Sequence, residues 1–247
     1  MKDCAILWGI TGGGTYLREV AGVMERLSRR GIRVTVMMSR WGAEVARIYG
    51  VKRIIERIAT GEYLRELLVD EEAMYYVGRL SLGRYRVFVV APATANSVAK
   101  FVLGIGDTAV TAAFAQAEKS GVPIVVLPTE AVVHDGKVVA VLPCYVSQQL
   151  CRLVEEGSCA AASACPVNAI AERGAKASID LSRCVGCEAC VGACPYGAIK
   201  CWETVLQELR VVDTENIRRL GSLPNVRIVY TPRQLEEAVL ELVGGCV

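Results

Sequence analysis

Cysteine is crowded into one segment of this chain, and that crowding constrains the fold more than any other feature of the sequence. Of the 11 cysteines in the 247 residues, nine lie from Cys144 to Cys201, which leaves only Cys4 and Cys246 outside. A small fold held together by disulfides would spread its cysteines more evenly. In a reducing compartment, a high number of cysteines more often indicates metal binding. We therefore expect a local metal-binding module in this segment.

The densest run of the module has the spacing of an iron–sulfur site. Cys184, Cys187 and Cys190 are separated by two residues each, and Cys194 follows after three more, with a proline behind it. Three thiolates at this spacing can wrap one cuboidal cluster, while the fourth turns away toward another. The run resembles that of bacterial-type ferredoxins. A zinc knuckle would rarely place four cysteines so tightly without a second pair, and the compartment disfavours a disulfide cluster.

An internal repeat supports the ferredoxin resemblance. The segment that starts at Cys165-Pro166 reappears at Cys194-Pro195, and both copies continue to Ala-Ile. The resemblance to a doubled ferredoxin domain implies that one 4Fe–4S cluster is held by Cys165, Cys184, Cys187 and Cys190.

The first half of the repeat departs from that pattern. The upstream positions expected to hold cysteine are occupied by Ala161, Ser158 and Glu155. Cys159 and Cys151 are offset substitutes, so either a second cluster uses Cys194, Cys159 and Cys151, with or without Cys144, or the second cluster has been lost. We expect Cys4, Cys144, Cys201 and Cys246 to be small buried side chains or incidental thiols.

Composition restricts the class of protein. Hydrophobic residues make up 53% of the chain, which supports a substantial core, and the net charge of +2 gives no electrostatic footprint for nucleic acid. We find no apolar run of membrane-spanning length and no signal peptide at the N-terminus, so we expect a cytoplasmic protein without a membrane partner.

Outside the cysteine segment, short apolar strands alternate with helical patterns. Strands are predicted at 3–8, 32–38, 87–90, 123–127 and 226–230, with a hairpin at 132–139. This rhythm predicts an α/β fold with a doubly wound parallel sheet, Rossmann-like, and an inserted ferredoxin-like module. We assign residues 1–143 to the first part of the α/β domain, 144–204 to the insertion, and 205–247 to a segment that completes the domain.

A glycine-rich loop follows the first strand. Gly12, Gly13 and Gly14 stand between that strand and a helix, where glycine lets backbone approach a phosphate. The dinucleotide fingerprint and the P-loop lysine are both absent, which argues against NAD and ATP. The loop alone is a weak signal, but Ser39 follows the second strand at the same sheet edge.

A third loop carries a more specific resemblance. Pro92-Ala93-Thr94-Ala95-Asn96 and the later Gly104-Ile105-Gly106-Asp107 are similar to segments of the flavoprotein superfamily that includes phosphopantothenoylcysteine decarboxylase and the lantibiotic decarboxylases. In that family both segments bind FMN. The resemblance implies a cofactor site made of Gly9, Thr11, Gly12, Gly13, Gly14, Ser39, Pro92, Ala93, Thr94, Asn96 and Asp107.

Two differences from the decarboxylases indicate that this sequence resembles another subfamily of the same superfamily. The segment 78–85 lacks their histidine, and Leu127-Pro128-Thr129-Glu130 replaces their Pro-x-Met-Asn block. The one histidine, His134, lies in the predicted hairpin and is expected to be structural. Stretches at 61–67, 78–99 and 213–220 instead resemble the archaeoflavoprotein and dihydromethanopterin reductase group.

That resemblance implies an FMN and iron–sulfur enzyme that reduces dihydromethanopterin, or a related pterin, to the tetrahydro form. Electrons would come from a ferredoxin-like donor rather than from NADPH, and the chain would form a homo-oligomer built on trimers. Trp41, Tyr75 and Tyr76 are candidates for stacking on the pterin, although burial in the core is the expected fate of each. A pure electron carrier and a cysteine decarboxylase are the alternatives, and no catalytic acid or base is assigned.

Overall fold

The computed structural model describes residues 4–244, apart from the side chains at positions 133, 134, 154 and 155. Cys246 and the side chains of His134 and Glu155 therefore lie outside the described part. The strands are β1 (Ala5–Ile10), β2 (Arg33–Met38), β3 (Leu67–Val69), β4 (Phe88–Ala93), β5 (Ile124–Pro128), β6 (Val133–His134), β7 (Lys137–Val141), β8 (Tyr145–Val146), β9 (Ile170–Arg173), β10 (Lys176–Ile179), β11 (Ile199–Lys200), β12 (Thr204–Glu208) and β13 (Val226–Ile228).

The helices alternate with these strands in the α/β part and are short in the cysteine segment. They are α1 (Leu17–Arg29), α2 (Arg40–Ile48), α3 (Lys52–Ile58), α4 (Asp70–Met74), α5 (Ala95–Leu103), α6 (Ala109–Lys119), α7 (Leu153–Glu156), α8 (Ala160–Ser163), α9 (Ala189–Ala193), α10 (Val211–Leu220) and α11 (Pro232–Val243), with a 3₁₀ turn at Val77–Arg79. No helix in the described residues combines the length and hydropathy that a membrane span needs.

The central sheet confirms the predicted α/β class. Six parallel strands lie in the order β13-β5-β4-β1-β2-β3. Two apolar clusters cover its faces, one including side chains of α1 and α11 and the other side chains of α5 and α6. The strand order reverses between β1 and β4, and in such sheets ligands bind beyond the carboxyl ends of the strands at that point.

The predicted strands and the hairpin turn are confirmed, with small shifts at their ends. Asp135 and Gly136 both have positive φ, 50° and 76°, as a tight hairpin turn requires. The sequence pattern did not predict β12, which pairs antiparallel with β7 and extends the hairpin to three strands. The chain therefore enters and leaves the cysteine segment along two adjacent strands.

The cysteine segment has its own small core and two short antiparallel pairs. β9 pairs with β10, and β11 pairs with β8. A third apolar cluster, which includes Val146, Ile170 and Ile199, packs between them. A separate core is what an inserted module requires, and the boundaries 144–204 remain a proposal.

The structure corrects the expectation for Cys144 and Cys201, which form a disulfide with a sequence separation of 57 rather than standing as incidental thiols. The pairing of β7 with β12 continues to this point, since the N–H of Leu142 donates to the carbonyl of Glu203 at 2.8 Å. The bond closes the base of the module and removes Cys144 from the ligands of any cluster. Cys4 lies outside the cysteine segment, partly buried and packed against one of the two apolar clusters of the central sheet.

Replacement of Cys144 by serine is expected to lower the free energy of unfolding by about 2–4 kcal/mol, since a disulfide that closes a loop of this length restricts the unfolded chain. Denaturant unfolding of the cluster-loaded protein, kept anaerobic, measures the difference. As a control, the wild type and the variant are compared again in the presence of a disulfide reductant, where their free energies of unfolding should become equal. If the variant is less stable than the wild type by the same amount with and without reductant, the stability difference does not come from a disulfide.

Candidate FMN site and iron–sulfur module

Loops from four strands meet at the carboxyl edge of the sheet. The loop after β1 contacts the loops after β4 and β5 through Gly13, where an added Cβ would lie 2.9 Å from Thr129 Cγ2 and 3.3 Å from Thr94 Cγ2. The loop after β2 contacts the same segment, because a Cβ at Gly12 would lie 3.1 Å from Trp41 Cβ. The predicted cofactor segments are therefore close together in space.

The three glycines are required by close approach rather than by backbone conformation. None of Gly12, Gly13 and Gly14 has a positive φ. A Cβ at Gly14 would lie 2.1 Å from Cζ of Tyr49, a distance that no side chain tolerates. The loop is therefore bare backbone at positions where a larger residue would not fit, and bare backbone lets a ligand approach closely.

Thr11 fixes this loop to the next. Its buried hydroxyl donates to the carbonyl of Pro92 at 2.9 Å and accepts from the N–H of Thr94 at 2.9 Å. Pro92 follows Ala91 in a cis peptide. Both hydrogen-bonding roles of the Thr11 hydroxyl are filled within the protein, so its function here is to position the loops.

Three helices begin at this edge. Ser39 caps α2 by accepting from the N–H of Gly42 at 3.0 Å, and Thr94 caps α5 by accepting from that of Ser97 at 3.3 Å. Tyr16, which precedes α1, provides no side-chain cap. Helix N-termini attract anions through their free N–H groups and dipoles, so this edge suits the phosphate of a flavin mononucleotide.

The remaining predicted residues differ in their surroundings. Asn96 is exposed, and Asp107, also exposed, pairs with Lys100 at 2.7 Å, an interaction that lowers the pKa of the Asp107 carboxyl. Ala93 is buried at the end of β4, and Gly9 lies within β1, where a Cβ would lie 3.0 Å from Val110. Gly9 thus has a packing role, and its place in a cofactor site remains a prediction.

Glu130 is a functional candidate that sequence reasoning passed over. Its carboxylate, half-buried beyond the end of β5, accepts from the Thr129 hydroxyl at 2.6 Å. Burial raises the pKa of Glu130; the Thr129 hydrogen bond works against this rise, and the negative charge of Asp213 adds to it. The sequence showed this residue only as a departure from the decarboxylase block, and nothing in its neighbours indicates burial.

Two of the three candidate stacking residues are exposed, contrary to the expectation that they lie in the core. Trp41 is 69% exposed and Tyr75 is 87% exposed. Tyr76 is partly buried, with the guanidinium of Arg79 4.4 Å from its ring centroid. Trp41 contacts the cofactor loop, whereas nothing in the described residues ties Tyr75 to it.

The cysteines assigned to the first cluster converge. Burial above all, together with the charges of Cys184, Cys165 and Cys187, raises the pKa of the Cys190 thiol to about 11. The Cys165 sulfur accepts from the N–H of Ala169 at 3.2 Å. In the described residues no group of three or more His, Cys, Asp or Glu side chains closes around a single ion. A cuboidal cluster does not need such closure, since each thiolate binds a different iron corner.

The cysteines named for a second cluster also meet. Cys151, Cys159 and Cys194 line one cavity of about 110 Å³. The Cys194 sulfur accepts from the N–H of Ala198 at 3.4 Å, as Cys165 does from Ala169, which extends the internal repeat to three dimensions.

The loop of the first cluster touches the α/β domain. Gly186 and Gly50, both at positive φ, pack backbone to backbone, and a Cβ at Gly186 would lie 2.4 Å from the carbonyl oxygen of Ile48. Arg47 donates to the carbonyl of Cys184 and, at 3.1 Å, to that of Leu181. The sequence carried no signal for these contacts, because they join residues more than 130 positions apart.

A second set of contacts joins α1 to the cysteine module and to the segment between β11 and β12. The Trp202 indole donates to Glu188 at 2.8 Å, and Arg18 pairs with the same carboxylate at 3.0 Å. The Arg18 guanidinium lies 4.5 Å from the centre of the Trp202 ring, and the Tyr49 ring lies 5.1 Å from it. The cysteine module is thus docked on the same side of the α/β domain as the glycine loop.

Comparison with known proteins agrees with this arrangement. The model of the Flavoprotein family matches residues 1–141, and that of the 4Fe-4S binding domain matches residues 177–200. The chain is 36% identical over 243 residues to a dihydromethanopterin reductase (acceptor) of Methanosarcina mazei, covering 96% of this chain and 98% of the relative. It is 38% identical over 237 residues to the protein of that name from Methanocaldococcus jannaschii, covering 94% of each.

A solved structure shares the fold. The crystal structure of Burkholderia xenovorans DmrB in complex with FMN, described as a cubic protein cage for redox transfer, matches with a TM-score of 0.61 at 22% identity. The match covers 97% of this chain and 94% of that one. At this identity the likeness concerns the fold alone.

Proposed function

The chain belongs to the flavoprotein family and carries an added 4Fe-4S binding domain, and from this premise we propose that it reduces dihydromethanopterin, or a related pterin, to the tetrahydro form. It is an FMN- and iron–sulfur-dependent oxidoreductase. We propose that a ferredoxin-like protein donates the electrons and that this chain is located in the cytoplasm.

One observation carries the proposal: the cluster loop and the cofactor loop are joined by two consecutive residues. Tyr49 packs against Gly14 of the cofactor loop, and Gly50 packs against Gly186, next to the cluster ligand Cys187. Burial raises the pKa of Tyr49 to about 12, so its phenol stays neutral beside the cofactor. This short contact path supports electron transfer within one chain.

The residues at the sheet edge fit FMN. Bound there, the flavin would accept single electrons and deliver them to the pterin as a pair. The Gly12–Gly14 backbone and the N-termini of α1, α2 and α5 would hold its phosphate, with the hydroxyls of Ser39 and Thr94 beside it. Asn96 and Asp107 are proposed to contact the cofactor from the third loop, as the family resemblance implies.

Pterin reduction also needs a proton, and we propose that Glu130 supplies it. Reduction of a carbon–nitrogen double bond takes up a hydride equivalent at carbon and a proton at nitrogen. Glu130 lies beside Thr129, which contacts the cofactor loop at Gly13, and its raised pKa keeps a proton on the carboxyl group to higher pH than usual.

Replacement of Glu130 by glutamine is expected to lower kcat by about 10²–10⁴-fold, the usual contribution of a general acid. In the wild type, kcat should fall as pH rises through the raised pKa of Glu130, because the carboxyl then loses its proton. That alkaline limb should disappear in the variant. A steady-state pH profile measures both effects.

Glu118 provides the matched control for this experiment. Burial also raises the pKa of its carboxyl, but it lies near the end of α6, away from the cofactor loop. Glu118→Gln should keep the wild-type profile. An unchanged alkaline limb in Glu130→Gln would show that another group supplies the proton.

We propose that the chain forms a homo-oligomer. The family resemblance implies a homo-oligomer based on trimers. Large apolar side chains stand exposed next to the Asp107 segment, namely Leu103 at 61% and Ile105 at 43%, and Trp41 is exposed at the start of α2. Burial of these side chains between copies would remove them from water.

The test of the proposed function is anaerobic addition of dihydromethanopterin to protein that a low-potential donor has fully reduced. We expect the flavin absorbance to return to its oxidised form and at least one tetrahydro product to form for each reduced flavin, since the reduced clusters can return further electrons to it. A protein that serves only as an electron carrier would keep its flavin reduced and leave the pterin unchanged.

A further inference from the structure

A cavity in the cysteine module is lined by three cysteines that the first cluster does not use, Cys151, Cys159 and Cys194. Its volume of about 110 Å³ compares with about 10–15 Å³ for a single water on the same measure, so it admits a group of several atoms. Apolar side chains such as Leu153 and Ile199 form most of the remaining wall. Three thiols facing one apolar cavity are the donor set of an iron–sulfur cluster.

The internal repeat shows which ligands are present. Cys151 matches Cys184, because the N–H of each donates to the carbonyl four residues earlier, Ser147 and Asp180, respectively. Strand pairing agrees, since Val146 faces Ile199 as Ile179 faces Ile170. Cys151 therefore corresponds to the first cysteine of the run.

The repeat also shows which ligand is missing. From Cys151 to Cys165 the chain advances 14 positions, against 10 from Cys184 to Cys194, so the first half has four extra residues. Counted back from the Cys-Pro ends, Ala161 in α8 corresponds to Cys190 in α9, and Cys159 precedes α8 as Glu188 precedes α9. Ala161 is 2% exposed and also lines the cavity, where it presents a methyl group in place of a thiolate.

Among the described residues that line the cavity, the other polar groups near the cysteines are oxygen donors rather than thiols, Ser158 and Glu156. The Glu156 carboxylate is already engaged by the Tyr196 hydroxyl. Hydrogen bonds hold the backbone at two of the three cysteines: the N–H of Cys159 donates to Glu172 at 3.0 Å, and Lys176 donates to the carbonyl of Cys151 at 2.8 Å.

We propose that this cavity binds a three-iron cluster, 3Fe–4S, through Cys151, Cys159 and Cys194, beside the 4Fe–4S cluster of the other site. Each iron of a cuboidal cluster takes one terminal ligand besides its sulfides, so three thiolates hold three corners. The fourth corner faces Ala161, and an iron there would have no ligand from the protein. The two halves of the repeat thus bind clusters of different iron content.

The inference deepens the proposed electron-transfer function, but its test does not depend on pterin chemistry. Iron and acid-labile sulfide are quantified on anaerobically purified protein, and EPR spectra are recorded in the oxidised and reduced states. We expect about seven iron atoms per chain, four plus three. The oxidised protein should show the EPR signal of a three-iron cluster, and the reduced protein that of a four-iron cluster.

Three variants assign the signals. Cys159→Ser should abolish the oxidised signal and keep the reduced four-iron signal, whereas Cys4→Ser, at a thiol remote from the module, should change neither. Ala161→Cys supplies the missing thiolate, so it should raise the iron content to about eight and remove the oxidised three-iron signal.

Other results overturn the proposal. About four iron atoms and no oxidised signal in the wild type would mean that the cavity holds no cluster, and about eight would mean that an unrecognised ligand completes a four-iron one. An oxidised signal that persists in Ala161→Cys would contradict the placement of the open corner at Ala161. None of these results bears on whether the reduced flavin reduces a pterin.

Discussion

Cys187→Ser is expected to stop donor-driven reduction of the flavin while leaving the flavin bound. Cys187 is an exposed thiol on the loop that packs against the α/β domain, so the substitution should spare the fold. Loss of an outer-shell partner of a metal site already costs about 10–100-fold in activity, and loss of a ligand should slow electron delivery by at least about 100-fold. Anaerobic stopped-flow with a reduced ferredoxin, followed at the flavin absorbance, measures the rate.

Two controls accompany this variant. Chemical reduction with dithionite should reduce the flavin of Cys187→Ser completely, which shows that the cofactor site is intact. Cys4→Ser removes a thiol outside the module and should keep the wild-type rate. Wild-type flavin reduction by the ferredoxin in Cys187→Ser would mean that electrons bypass the cluster.

Gly14→Ala is expected to weaken FMN binding and to disturb the path between the loops. The added Cβ would lie 2.1 Å from the Tyr49 ring, so either the glycine loop or Tyr49 must move. Overpacking of this kind costs about 1–3 kcal/mol, which corresponds to roughly 5-fold to 150-fold weaker binding. Fluorescence titration of the apoprotein with FMN measures the affinity.

Gly78→Ala is the matched control for steric substitution of a glycine. Nothing lies within 4 Å of a Cβ at Gly78, and its φ is not positive, so FMN affinity should stay at the wild-type value. Equal affinities of Gly14→Ala and the wild type would contradict a cofactor site on this loop. In the double variant Gly14→Ala/Tyr49→Ala the clash is relieved, so part of the affinity should return.

Sequence patterns predicted the parts of the fold that depend on local information. β1, the glycine loop and α5 follow from apolar runs, a loop signature and the capping residue Thr94, all of which act within a few positions. The ligand run from Cys184 to Cys194 is local in the same sense. Its spacing alone indicated the chemistry.

The features that escaped prediction depend on contacts between distant positions. β12 was missed because its short, largely exposed sequence forms a strand only through pairing with β7. The same pairing brings Cys144 to Cys201, which the sequence presents as unrelated thiols. The burial of Glu130 is likewise a property of the assembled sheet edge and not of neighbouring residues.

The candidate sites divide in a similar way. The cysteine run of the first cluster was predicted from its spacing. The correspondence of Cys151 to Cys184 was not, because four extra residues in the first half of the repeat hide it, and it became visible only from the strand register. The contact between Gly50 and Gly186 had no sequence signature at all, since glycine in two separate turns is common.

The central claim is that the cluster of the inserted module delivers electrons to the flavin of the same chain. The most direct measurement is an anaerobic rapid-mixing experiment that follows cluster and flavin separately after addition of a reduced ferredoxin, at several protein concentrations with donor in excess. We predict that the cluster is reduced first and that the flavin follows at a rate independent of protein concentration. Flavin reduction that precedes cluster reduction, or a flavin that stays oxidised beside a reduced cluster, would contradict this claim.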